Sequence, residues 1–150
     1  MIILNGGIKM YYEIPGTVRI KKNSRRIFKS KKHKGFENLP SKAYMEWEDM
    51  ARDYVSALIL TRTDYKGPFK GPVHVRVVAY YKGPQPDLSG ILESVGDAFE
   101  GQLWVNDKNI RSWDGSRLIH DKGNPRLCLW VEPFTALSYK QDLEIVEDFK

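Results

Sequence analysis

Hydrophobic and polar positions change period several times along the chain, and each change marks an element. The run "MYYEIPGTVRI" from Met10 is rich in aromatic and β-branched residues interrupted by Pro15-Gly16, which predicts strand, turn, strand. From Ser41 the period turns helical: Tyr44, Trp47, Ala51, Tyr54 and Leu58 recur on one face up to about Leu60. Ser41 is the expected N-cap, because its hydroxyl can accept from first-turn amides that have no partner inside the helix. "TDYKGPFKGP" reads as a loop by its Gly-Pro pairs. "VHVRVVAYY" then alternates Val73, Val75, Val77 and Ala79 against His74, Arg76, Val78 and Tyr80, the pattern of a half-buried strand. A second helix is expected after "KGPQP", with Leu88, Ile91, Leu92, Val95, Ala98 and Phe99 toward the core, closing near Gly101.

Beyond it, "QLWV" reads as a short strand, "NDKN" as a turn and "IRSW" as another strand, with Asp114-Gly115 making a tight hairpin or a bulge. "DKGN" turns the chain into "PRLCLWVE", a strand dense in apolar residues, and the last 17 residues fit strand or helix equally. No repeat or linker divides the chain, and 150 residues suit one domain. The expected fold class is α+β: a mixed sheet with two main helices packed on it.

Composition mainly excludes. Hydrophobic residues at 41% and charged residues at 29% are ordinary for a globular domain and argue against wholesale disorder. No run approaches the roughly 18 apolar residues of a membrane span. The opening "MIILNGGIKMYY" lacks a basic n-region and a long apolar h-region, so no signal peptide is expected and a cytoplasmic location is. The single cysteine, Cys128, cannot form an internal disulfide and reads as a small buried hydrophobe on a strand. His33, His74 and His120 are scattered, which leaves neither zinc nor thiol chemistry a motif.

Charge changes the picture more. The chain carries +5 overall, yet residues 19–34 hold Arg19, Lys21, Lys22, Arg25, Arg26, Lys29, Lys31, Lys32 and Lys34 with no acid, leaving −4 elsewhere. Nine cations this close repel one another, and a polyanion relieves the strain. Nucleic acid is the expected partner, with this segment a loop or hairpin tip. Carboxylates gather instead around the second helix. Asp87 precedes it as an N-cap, Ser89, Glu93 and Asp97 are spaced by four into one polar stripe, and Asp107 lies in the following turn. Mg²⁺ takes one or two carboxylates and fills the rest of its shell with water or phosphate oxygens, so Asp87 and Asp107 are candidate ligands. Plain capping and turn formation explain the two residues equally well. Trp104, Trp113 and Phe28 are candidates for stacking on unpaired bases, although the tryptophans sit in apolar runs that favour core packing.

Four pieces in order, "VRIKKNSRRIFK", "LPSKAYMEWEDMA", "PDLSGILESVGDAFEGQLWVNDKNI" and "PRLCLWVE", resemble the RusA-like endonucleases over roughly residues 18–132. The resemblance implies a homodimeric nuclease, dependent on Mg²⁺ (or Mn²⁺), that cuts four-way (Holliday) DNA junctions symmetrically. Asp87 matches the first essential carboxylate of the family's Asp-Leu-Asp-Asn, Asp107 the second acid of its Asp-Asp, and Asp97 the acid of its Asp-Ala-Leu. The chain departs elsewhere: Ser89 stands at the second Asp, Gly90 at the Asn, Glu93 at a functional Lys, and Asn106 at the first acid of Asp-Asp. A serine hydroxyl is a poor Mg²⁺ ligand, and Glu93, one helical turn beyond Ser89, can reach back toward the vacant place. Asp87, Asp107 and Glu93 are therefore the expected catalytic set, with Asp97 as a further metal ligand. Arg19, Lys21, Lys22, Arg25, Arg26, Lys29, Lys31 and Lys32 are the expected DNA contacts. Three functions stay open: a junction nuclease, a RusA-fold protein that binds branched DNA without cutting, and a basic RNA-binding protein.

Overall fold

Strict alternation makes the first strand. In β1 (Met10–Pro15), Met10, Tyr12 and Ile14 are buried while Tyr11, Glu13 and Pro15 are exposed. The computed structural model describes residues 9–21, 26–29 and 36–134, with 26–29 and 36–39 described as backbone. The remaining elements are β2 (Arg26–Lys29), β3 (Phe36–Leu39), α1 (Lys42–Leu60), β4 (Val73–Tyr81), α2 (Leu88–Ala98), a 3₁₀ turn (Asp107–Asn109), β5 (Ile110–Ser112), β6 (Arg117–His120) and β7 (Arg126–Pro133).

The main sheet is mixed. β7 lies between β1 and β4 and is antiparallel to both, while β5 and β6 follow one another along the far edge of β4, parallel to it. Register aligns Tyr12, Leu129 and Val77, and likewise Ile14, Leu127 and Ala79, on one face. These residues join one core with Tyr44, Trp47, Ala51 and Val55 of α1 and Ile91, Val95 and Ala98 of α2. Phe99 bridges the ring of Trp47 to that of Trp104, with centroids 6.4 and 6.3 Å apart. The α+β class and the single mixed sheet with two helices are as the pattern predicts.

Several details differ from the expectation. Thr17–Lys21 forms no second strand: after Gly16, at φ +100°, the chain leaves the sheet edge. The basic stretch fits the hairpin alternative, with Arg26–Lys29 and Phe36–Leu39 paired antiparallel in a ladder of their own. Val55, not Tyr54, completes the buried stripe of α1; Tyr54 is 40% exposed, because a tyrosine can lay its ring on a rim and keep its hydroxyl in water. Val78 is buried although it faces away from the helices, between the row where Arg76 lies over the Trp130 ring and the row where Arg126 lies over Tyr80. "QLWV" is a turn with isolated bridges from Trp104 to Phe69 and Glu100, not a strand. Asp114-Gly115 closes no hairpin; it interrupts one edge into β5 and β6. Cys128 is buried on β7, as expected. Only Phe134 of the ambiguous C-terminal stretch is described, and it lies outside any strand or helix.

Candidate active site

Helix α2 is short and rich in residues that disfavour helix, with Gly90, Ser94 and Gly96 all buried. Small side chains there let other parts of the chain come close. A Cβ on Gly90 would stand 2.9 Å from Cγ2 of Ile20, so the extended Thr17–Lys21 segment lies directly on the helix. The Lys21 backbone N–H donates to Ser94 Oγ at 3.1 Å, and the Lys21 ammonium reaches Asp97 Oδ2 at 3.3 Å. The same ammonium sits 5.7 Å from the Tyr44 ring centroid. Around Gly96, the Asp107 Cβ, the Ile110 side chain and the Trp113 ring all lie 3.8 Å from where a Cβ would be.

These approaches leave a cavity of about 370 Å³ against α2, lined by Ser89, Glu93 and Asp107, with Gly96 and the side chains of Leu92, Ile110 and Trp113 completing its walls. Asp107 is fixed by its turn: its N–H donates to Glu100 Oε1 at 3.1 Å, and Asn106 caps the turn by accepting from the Lys108 N–H at 2.9 Å. Asn106 therefore has a structural role of its own. Asp87 occupies the N-cap of α2 but makes no capping hydrogen bond; its Oδ2 accepts from Ser89 Oγ at 2.9 Å, and it is not part of the cavity lining.

Electrostatics tie the acids together. Burial pushes the Asp97 carboxyl above the ordinary carboxylate range; the Lys21 hydrogen bond and charge pull it back, while Asp107 and Glu93 push it further up. Burial likewise raises the Tyr44 phenol, helped by its hydrogen bond to Glu48 and by the charges of Glu48, Asp97 and Glu93. Glu93, Asp97 and Asp107 thus share one negative field with Lys21 as its counter-charge. Among the described residues, no three His, Cys, Asp or Glu side chains are grouped closely enough to hold a metal ion. Two carboxylates on one cavity still match the one or two that Mg²⁺ takes from a protein.

The expected site residues divide accordingly. Ser89, Glu93 and Asp107 come together, Asp97 turns to Lys21, and Asp87 stays exposed at the helix start. Of the basic residues, Arg19 is exposed and Lys21 is pinned to α2; Arg26 and Lys29 lie on β2, and Lys22, Arg25, Lys31 and Lys32 fall outside the described residues. The Phe28 side chain is also outside them. Trp104 is fully buried, its indole N–H donating to the Gly96 carbonyl at 2.9 Å, which makes it a core residue. Trp113 packs against the core and lines the cavity at once. Ser94, Gly96 and Glu48 were not singled out by sequence, and Tyr44 was read only as a core-facing helix residue; for Ser94 and Gly96 the available signal was the small-residue spacing within "SGILESVG". Among the described residues, no helix is long and apolar enough to cross a membrane. No protein-family model matches the chain, and no curated protein matches it.

Proposed function

We propose that the chain is a RusA-type endonuclease, dependent on Mg²⁺ or Mn²⁺, that cuts four-way DNA junctions in the cytoplasm as a homodimer. The observation that carries this reading is the shared cavity: Ser89, Glu93 and Asp107 line it together, beside the point where the basic segment meets α2. Glu93 and Asp107 would hold the cation, whose chemistry when bound is to polarise the scissile phosphate and activate a water. The chain's own residues do the rest. The cations of residues 19–34 gather phosphates by releasing counterions, which positions DNA without reading its sequence. The Lys21 ammonium, balanced on Asp97, keeps a positive charge next to the acids. Paired sites on a two-fold dimer match the near two-fold symmetry of a four-way junction.

A protein that binds branched DNA without cutting is the second reading. It is favoured by the absence of a three-ligand group among the described residues, and by the engagement of Asp87 with Ser89 and of Asp97 with Lys21. Incubating an end-labelled four-way junction with the protein in Mg²⁺ and in Mn²⁺, alongside linear duplex DNA and double-stranded RNA, separates the readings. Paired nicks across the junction support the nuclease. Tight junction binding with no nick at any enzyme concentration supports the second reading, and preference for the RNA defeats both.

A further inference from the structure

We propose that the cleft next to the candidate active site is a pocket for one unpaired nucleobase of a DNA substrate, a proposal that rests on the nucleic-acid reading above. The cleft has a volume of about 530 Å³ and opens between the first turns of α2 and the interruption that separates β5 from β6. Leu92 and Trp113 line both this cleft and the carboxylate cavity, so the two spaces share a wall. A base held against Trp113 is therefore the neighbour of a phosphate at Glu93 and Asp107.

The interruption is a built structure. Gly115, at φ +82°, takes the chain through a turn that a side chain would strain. Ser116 Oγ accepts from the Val77 N–H at 2.9 Å, across the gap in the β4 edge, and Ser112 Oγ accepts from the Asp114 N–H at 3.2 Å. Arg76 donates to the Gly115 carbonyl at 3.3 Å. The strand edge is thus kept open around a half-buried indole, with Arg111 and Asp114 exposed at the cleft.

Charge selects the ligand. Among the described residues, the cleft lining carries one cation, Arg111, and one anion, Asp114, so it offers a phosphate no net charge. A nucleobase fits this pairing: its face stacks on an aromatic ring whatever its identity. Its edge presents acceptors that match a guanidinium and amino groups that match a carboxylate. The volume lies within the range of ligand pockets and exceeds a single base, which leaves room for its sugar.

The test titrates the protein with single-stranded tetramers of each deoxynucleotide and with a four-way junction, in the absence of divalent cation, following tryptophan emission and DNA anisotropy together. Binding is expected to quench emission, and the quench is expected to disappear in Trp113→Phe. In Asp114→Asn and Arg111→Ala, both at exposed positions, the affinity ratio between best and worst tetramer should narrow by roughly ten-fold or more. A quench that persists in Trp113→Phe, a ratio unchanged in both other variants, or no binding of any of these DNAs overturns the pocket. Junction binding that is intact yet indifferent to all three substitutions overturns the pocket and leaves the junction reading standing. Tetramer binding through Trp113 without junction binding does the reverse.

Discussion

The two helices differ in what their sequences are good for. α1 is a packing helix: it begins at a serine whose hydroxyl accepts from the Tyr44 N–H, and it buries Tyr44, Trp47, Ala51 and Val55 along one side. α2 begins at an aspartate that caps nothing, and it buries glycine and serine on the sides where other segments press against it. Each interior glycine costs a helix about 1 kcal/mol relative to alanine. The helix that spends stability on close approach is also the one that carries Ser89, Glu93 and Asp97. The contrast teaches where to look for function in this domain: in the helix whose local sequence disagrees with its secondary structure.

The largest effect is expected in α1, where Trp47→Ala removes a ring packed against Tyr44 and Phe99 and should lower unfolding free energy by about 3–5 kcal/mol in denaturant titration. A loss below 1 kcal/mol would deny α1 its packing role. In α2 the two glycines should respond with opposite signs. Gly90→Leu drives a side chain into Ile20 and should cost about 1–3 kcal/mol. Gly96→Ala meets neighbours at ordinary contact distance, so helix propensity wins and stability rises by up to about 1 kcal/mol. Equal signs would refute the claim that the Thr17–Lys21 segment is seated on Gly90.

The caps come next. Ser41→Ala should cost about 1 kcal/mol, because it removes a real capping bond. Asp87→Asn, with no cap bond to lose, should shift stability by no more than about 0.5 kcal/mol. A large loss in the Asp87 variant would return that residue to an ordinary structural role. The smallest effect is a pH slope. The folded protein holds the Asp97 proton more tightly than the unfolded chain does, so above the ordinary value of 3.8 this group erodes stability as pH rises through its folded pKa, and returns it as pH falls. Thermal melts across the acid range should show that component in wild type and lack it in Asp97→Asn.

Much of this fold was legible because local signals and tertiary demands agree. Ser41 followed by a helical period located α1, aromatic and β-branched content located β1, alternation located β4, and apolar density located β7. The misreadings arise where an apolar pattern is satisfied by a partner other than a sheet neighbour. Val18 and Ile20 alternate like a strand, yet Ile20 packs on α2 and the next amide bonds to Ser94 rather than to a ladder. Leu103 and Trp104 are buried as strand residues would be, but a turn carries them into the core. Asp114-Gly115 was recognisable as a turn, whereas the choice between hairpin and interrupted edge depends on β4, which no local signal reports. For the site, helical spacing placed Ser89 and Glu93 on one stripe, and the structure adds Asp107 to the same cavity. The second cleft was not legible: sequence offers Trp113 as a stacking candidate within an apolar run that favours core packing, and its two-sided position is a property of the packed chain.

The most direct test of the account asks whether the carboxylates of the α2 cavity serve cleavage rather than folding or DNA binding. Nicking of a labelled four-way junction by wild type, Glu93→Gln and Asp107→Asn should be timed in Mg²⁺ and in Mn²⁺ with enzyme in excess, and junction affinity measured by anisotropy on the same samples. The account predicts that wild type nicks in paired positions, that each substitution abolishes nicking, and that both variants keep the wild-type affinity. Ser89→Asp should raise the rate or rescue Glu93→Gln. Undiminished nicking in Glu93→Gln and Asp107→Asn, or no nicking by wild type in either metal, would contradict it.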